Sequence, residues 1–127
     1  NSTNWGNYAN NLWNITNANS KYAIYDGKLK NFDWTSGAYG IKDSDTMVLL
    51  STGASDDFSK QGIYDLAGNV SEFTLEHANL ISRALVEGPC AIRGGIYNYD
   101  DAAANRSNAP TTIFDANINL GFRVVLY

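Results

Sequence analysis

Hydrophobic positions along the chain fall into short runs separated by long polar stretches, and the clearest pattern lies at the centre. Residues 62–74 read GIYDLAGNVSEFT. Ile63 and Leu66 open the stretch, Ala67-Gly68-Asn69 breaks it, and Val70-Ser71-Glu72-Phe73-Thr74 alternates with the period of two expected of a half-buried strand. Gly and Asn both tolerate positive φ, so Gly68-Asn69 predicts a tight turn with a mechanism behind it.

Other elements are shorter. Tyr22 to Tyr25 predicts a strand turned by Asp26-Gly27, and the continuous apolar run Met47-Val48-Leu49-Leu50 predicts a buried strand. Thr52 to Asp57 reads as a turn. Ala91-Ile92-Arg93 reads as a strand ending in Gly94-Gly95, where a bulge or close backbone approach is possible. Leu120 to Tyr127 reads as a central strand. Residues 1–20 are rich in asparagine, which competes with the backbone for hydrogen bonds. They predict a long loop pinned by Trp5, Tyr8, Leu12 and Trp13, with one helical turn over 8–13. Residues 31–46 predict a second loop, anchored by Phe32, Trp34 and Tyr39. Residues 96–119 show no clear periodicity. Loops this long in a compact domain are usually functional.

Composition narrows the function. The 127 residues make one domain's worth of chain. With 44% hydrophobic residues the chain is globular, and with 17% charged and 13% aromatic its surface chemistry is neutral and polar. Net charge is −4 and Lys and Arg do not cluster, which argues against a nucleic-acid partner. Cys90 is the single cysteine and His77 the single histidine. An internal disulfide, a cysteine metal cluster and the usual catalytic triads are therefore excluded. No apolar run has the length of a membrane span, and no signal peptide is visible. The polar start without methionine is expected of the end of something longer. Asn1, Asn14, Asn69 and Asn105 head glycosylation sequons, which chance alone would supply in so Asn-rich a chain.

The central turn also carries candidate chemistry. The carboxylates of Asp65 and Glu72 and the carbonyls of Gly68 and Val70 are hard oxygen ligands close together in sequence, a set that could hold a structural calcium ion. The competing reading is a hairpin-like turn with two solvated carboxylates.

GIYDLAGNVSEFT, then IRGG, then NLGFRVVLY, in this order and spacing, resembles the formylglycine-generating-enzyme (sulfatase-modifying factor) family over Gly62 to Tyr127. The resemblance implies an α+β, C-type-lectin-like fold, loop-rich with a small mixed or antiparallel sheet, of which this chain would be the C-terminal part. It would then pair with an N-terminal segment or other subunits. It also implies a metal at Asp65, Gly68, Val70 and Glu72. The enzymes of that family bind copper through two cysteines after the RGG-like motif. Here Tyr99 and Ala104 stand at those places by an ungapped register, and neither can be a thiolate ligand. Copper and oxidase activity are therefore not expected.

Some non-enzymatic proteins of this fold are variable proteins of diversity-generating retroelements, in which adenine mutagenesis of AAC or AAT codons never yields Lys, Glu, Gln, Met or Trp. Those five types are absent from Gly94 to Tyr127 and all occur upstream. Tyr97, Asn98, Tyr99, Asp100, Asn105, Ser107, Asn108, Thr112, Phe114, Asp115, Asn117 and Asn119 form a paratope-like palette of rigid aromatics and adaptable polar groups. The expectation is a non-catalytic domain on a bacterial surface or phage virion, binding a protein or glycan receptor through residues 96–119. A structural virion or surface-protein domain without a ligand is the alternative.

Overall fold

Val48, Leu49 and Leu50 are all buried, as a continuous apolar run should be, and the first half of the molecule is built on them. The structure, a computed structural model, describes residues 5–25, 27, 33–76, 91–100, 106–108 and 119–123, the segment 106–108 as backbone only. Its strands in chain order are β1 (Trp13–Ile15), β2 (Lys21–Ile24), β3 (Thr35–Ser36), β4 (Gly40–Lys42), β5 (Val48–Leu50), β6 (Ser59–Lys60), β7 (Ile63–Tyr64), β8 (Ser71–Phe73), β9 (Ala91–Arg93), β10 (Arg106–Asn108) and β11 (Leu120–Gly121). Among the described residues the one helical element is a 3-10 turn, Asp56–Phe58, capped by the Ser55 hydroxyl accepting from the Asp57 N–H. The domain is thus mostly sheet there, and no helix of the expected α+β class appears among them.

Four small sheets share the work. β2 lies between β3 and β5, antiparallel to both, with Ala23 opposite Leu49. β1 pairs with β4, and β6 with β7, again antiparallel. The fourth sheet runs β10-β9-β8-β11; its β8-β11 pair is parallel and the others antiparallel. One core cluster joins Ile15, Val48, Leu50, Ala54 and Phe58, with Trp13, Tyr22 and Tyr39 packed against it. Trp13 meets Phe58 edge-on at 4.5 Å, and Tyr22 meets Tyr39 edge-on at 5.0 Å, both favourable aromatic geometries.

The strands expected at 22–25, 47–50, 70–74 and 91–93 are present within a residue or two at their ends. Several other expectations are corrected. No helical turn forms over 8–13; instead Trp13 begins β1, paired with Lys42 on β4 and with its ring packed against the core cluster. Residues 31–46, read as loop, supply β3 and β4. Trp34 and Leu12, expected as anchors, are mostly exposed. The loop reading of 96–119 is broken by β10, which pairs with β9 in register Ser107 to Ile92. β11, expected as central, is the end strand of its sheet among the described residues.

Candidate functional site

The turn at Gly68-Asn69 has the positive φ its residues suggested, 76° and 62°. What it does is wider than joining two strands. The Asn69 side chain behaves as a strand partner for β5: Oδ1 accepts from the Leu50 N–H at 3.0 Å, and Nδ2 donates to the Leu50 carbonyl at 2.6 Å. Its backbone N–H donates to the Asn7 carbonyl at 2.7 Å, and its carbonyl accepts from the Tyr97 N–H at 3.0 Å. Gly68 N–H donates to the Gly94 carbonyl at 2.7 Å, which also accepts from the Tyr8 hydroxyl at 2.8 Å. Three segments remote in sequence therefore meet on two residues. Asn69 is buried, so its sequon is not an accessible glycosylation site.

Close backbone approach fixes the N-terminal segment here. A Cβ on Gly6 would lie 1.5 Å from the Ala67 carbonyl oxygen, and one on Gly68 would lie 2.7 Å from the Asn7 carbonyl oxygen. Only glycine fits either place. Asn7 Nδ2 reaches the Val48 carbonyl at 2.5 Å. Lys42 secures the next residues: fully buried, its Nζ donates to the carbonyls of Tyr8 at 2.7 Å, Ala9 at 3.3 Å and Asn11 at 2.9 Å. Burial lowers its pKa to about 8, against an opposing pull from Asp45.

The expected calcium ligands lie beside an arginine. Arg123 Nη2 donates to Glu72 Oε1 at 2.7 Å and to the Asp65 carbonyl at 2.6 Å. Its Nη1 donates to the Tyr64 carbonyl at 3.0 Å, and its Nε to Glu72 Oε2 at 3.3 Å. Two bonds to one carboxylate make the bidentate fork that arginine favours. Asp65 is not a solvated carboxylate. It is buried at φ 49°, Oδ2 accepts from the Gly53 N–H at 3.2 Å, and Oδ1 has no hydrogen-bond partner. Burial raises its pKa to about 6, with Glu72 adding and Gly53 and Arg123 opposing. Of the other two expected ligands, Gly68 is buried at the turn and Val70 is half-buried. Among the described residues no three His, Cys, Asp or Glu side chains gather as a metal-binding group.

The expected recognition face divides. Tyr97 is fully buried and packs edge-on against Tyr25 at 6.0 Å, so it belongs to the core and not to a binding surface. Its burial raises its pKa to about 12. Two residues on, Tyr99 is 64% exposed, with Asp100 exposed and Asn98 half-buried. The backbone beneath them is held: Tyr97 N–H by Asn69, Tyr99 N–H by the Ile96 carbonyl at 3.2 Å, and the Tyr99 carbonyl by Ala9 N–H at 2.9 Å. Ser107 and Asn108 lie on β10, and Asn119 is half-buried, its carbonyl accepting from Ser71 N–H at 2.9 Å. Asn105, Thr112, Phe114, Asp115 and Asn117 lie outside the described residues.

Sequence reasoning missed Asn7, Lys42 and Arg123. Asn7 and Lys42 carry no local signal; Arg123 was visible in the GFR motif but was not connected with Glu72. No helix of the described residues is long and apolar enough to cross a membrane. No family model matches the chain, and no curated protein and no solved structure matches it at a significant level.

Proposed function

We propose that the chain is a non-catalytic recognition domain, related to the formylglycine-generating-enzyme type with its C-type-lectin-like fold, that binds a protein or glycan receptor through the surface formed by residues 96–119. The observation that carries this reading is Tyr99. Its ring stands out in solvent between Asn98 and Asp100, while the backbone beneath it is pinned to Asn69 and Ala9. A rigid aromatic with adaptable polar neighbours on a fixed backbone gives contact area at low entropic cost. Such a surface can change side chains without changing its support.

The residue types of 94–127 agree with retroelement diversification, and the domain would then be displayed on a bacterial surface or a phage virion. An exposed tyrosine where the resembling enzymes place a copper-binding cysteine supports a binding role over an oxidase role. Sequencing genomic copies of the gene across related isolates tests the reading. Variation should concentrate at Asn98, Tyr99 and Asp100, while Gly68, Asn69 and Arg123 stay fixed. Variation spread evenly over the chain would favour a structural domain whose loop contacts neighbouring subunits.

A further inference from the structure

We propose that the cleft between Trp5 and the β6-β7 hairpin binds an acidic monosaccharide unit of the hexuronate class, through residues other than 96–119. The cleft has a volume of about 410 Å³ and is lined by Trp5, Ser59, Lys60, Gln61, Ile63 and Leu66. That is the lower part of the range of small-ligand sites, and enough for one or two sugar rings.

Three of its six lining residues are apolar. Trp5, Ile63 and Leu66 keep 43%, 43% and 36% of their surface exposed. The backbone that carries them is closely packed: Gly6 and Ala67, the residues after Trp5 and Leu66, leave no room for a Cβ on Gly6. The half-exposed indole offers a flat face of the kind against which the C–H face of a pyranose packs, with Ile63 and Leu66 in the same lining.

The polar side of the cleft selects the charge. Lys42 is caged by carbonyls, Arg93 is paired with Glu76 at 2.7 Å, and Arg123 with Glu72. Lys60 differs: among the described residues its Nζ has one hydrogen-bond partner, the Asp57 carbonyl at 3.4 Å, and no ion pair. The carboxylates of Asp56 and Asp57, close by in sequence, have other partners. Asp56 accepts from the Tyr64 hydroxyl at 2.7 Å, and Asp57 meets the Ser55 hydroxyl at 3.5 Å. An uncompensated ammonium beside an indole face suits a ring that carries a carboxylate. Ser59 and Gln61 add a hydroxyl and an amide for ring hydroxyls.

Gln61 also shows an outlier that fits this role. The hairpin turns through Gln61 and Gly62 with φ of 54° and 78°, the two positive values of a type I′ turn. Asn or Gly would serve the first position at lower cost, whereas glutamine pays a penalty of about 1 kcal/mol. Gln61 lines the cleft, and its side chain is one methylene longer than that of asparagine.

The test uses the full chain, with amide and indole resonances followed as glucuronate or glucose is added. Glucuronate should shift the Trp5 indole N–H and the Lys60 and Gln61 amides, with an affinity about three- to fivefold above that of glucose, the range of an exposed ion pair. Lys60→Met should abolish that preference, and Trp5→Ala should remove binding of both sugars. No shift at Trp5 with either sugar would overturn the proposal, as would equal binding of the two or a preference that survives Lys60→Met. None of these substitutions falls within residues 96–119, so failure here leaves the recognition surface to be judged by its own test.

Discussion

The side-chain amide of Asn69 pairs with both backbone groups of Leu50, accepting at 3.0 Å and donating at 2.6 Å, as a neighbouring strand would. Asn69→Ala leaves two buried backbone groups unpaired, at about 1–3 kcal/mol each, and puts a Cβ-bearing residue with no local hydrogen bond at φ 62°. We expect a loss of about 3 kcal/mol or more by denaturant titration. Asn69→Gly should relieve the backbone yet recover little of the loss, because the bonds to Leu50 are gone in both.

Arg123 provides the positive charge among the oxygens of Glu72, Tyr64 and Asp65. With that charge supplied by the chain, added calcium or a chelator should leave the melting temperature of the wild type unchanged. A calcium-dependent rise would instead support the ion expected at Asp65, Gly68, Val70 and Glu72. Arg123→Lys should lose about 1–3 kcal/mol, since an ammonium cannot span the fork to Glu72 and both carbonyls.

Asp65 gives the domain a pH dependence of unusual sign. Its folded pKa, about 6, lies above the ordinary 3.8, so between those values the folded state holds the extra proton. Its contribution to stability is fully present below pH 3.8 and is lost as pH rises through 6. The size is at most about 3 kcal/mol. Urea titrations from pH 4 to 7 should show this decline in the wild type, and Asp65→Asn should flatten it, with Glu72 and Arg123 kept as the charged neighbours.

Much of the strand pattern was legible, because it is local. Met47 to Leu50 announces a buried strand by continuous apolarity, and Gly68-Asn69 announces its turn by φ tolerance alone. The rest depends on partners far along the chain. Nothing near Lys42 says that its ammonium will meet carbonyls of residues 8–11, and nothing near Asn7 says that it will meet Asn69. Thr35-Ser36 is too short and polar to read as a strand, and becomes one because β2 lies beside it. Tyr97 and Tyr99 look equivalent in sequence; a turn between them sends one ring inward and the other out.

Lys42 should prove costly to replace. Lys42→Met removes a buried charge but takes a donor from the carbonyls of Tyr8 and Asn11, at about 1–3 kcal/mol for each left unpaired, while the Ala9 carbonyl keeps the Asp45 N–H at 2.8 Å. Hydrogen exchange should speed up in residues 5–12 before it does in β5. Because its folded pKa of about 8 lies below 10.5, the Lys42 contribution to stability in the wild type should rise between those pH values.

The central claim is that a fixed hub at Gly68-Asn69 carries a surface at residues 98–100 whose side chains are interchangeable. Its most direct test is a protease-stability measurement on two libraries, one randomised at Asn98, Tyr99 and Asp100, the other at Gly68 and Asn69. Most members of the first should stay within about 0.5 kcal/mol of the wild type, because the hydrogen bonds of that segment are made by its backbone. Nearly all of the second should be destabilised by several times that amount. Equal losses in the two libraries would contradict the account.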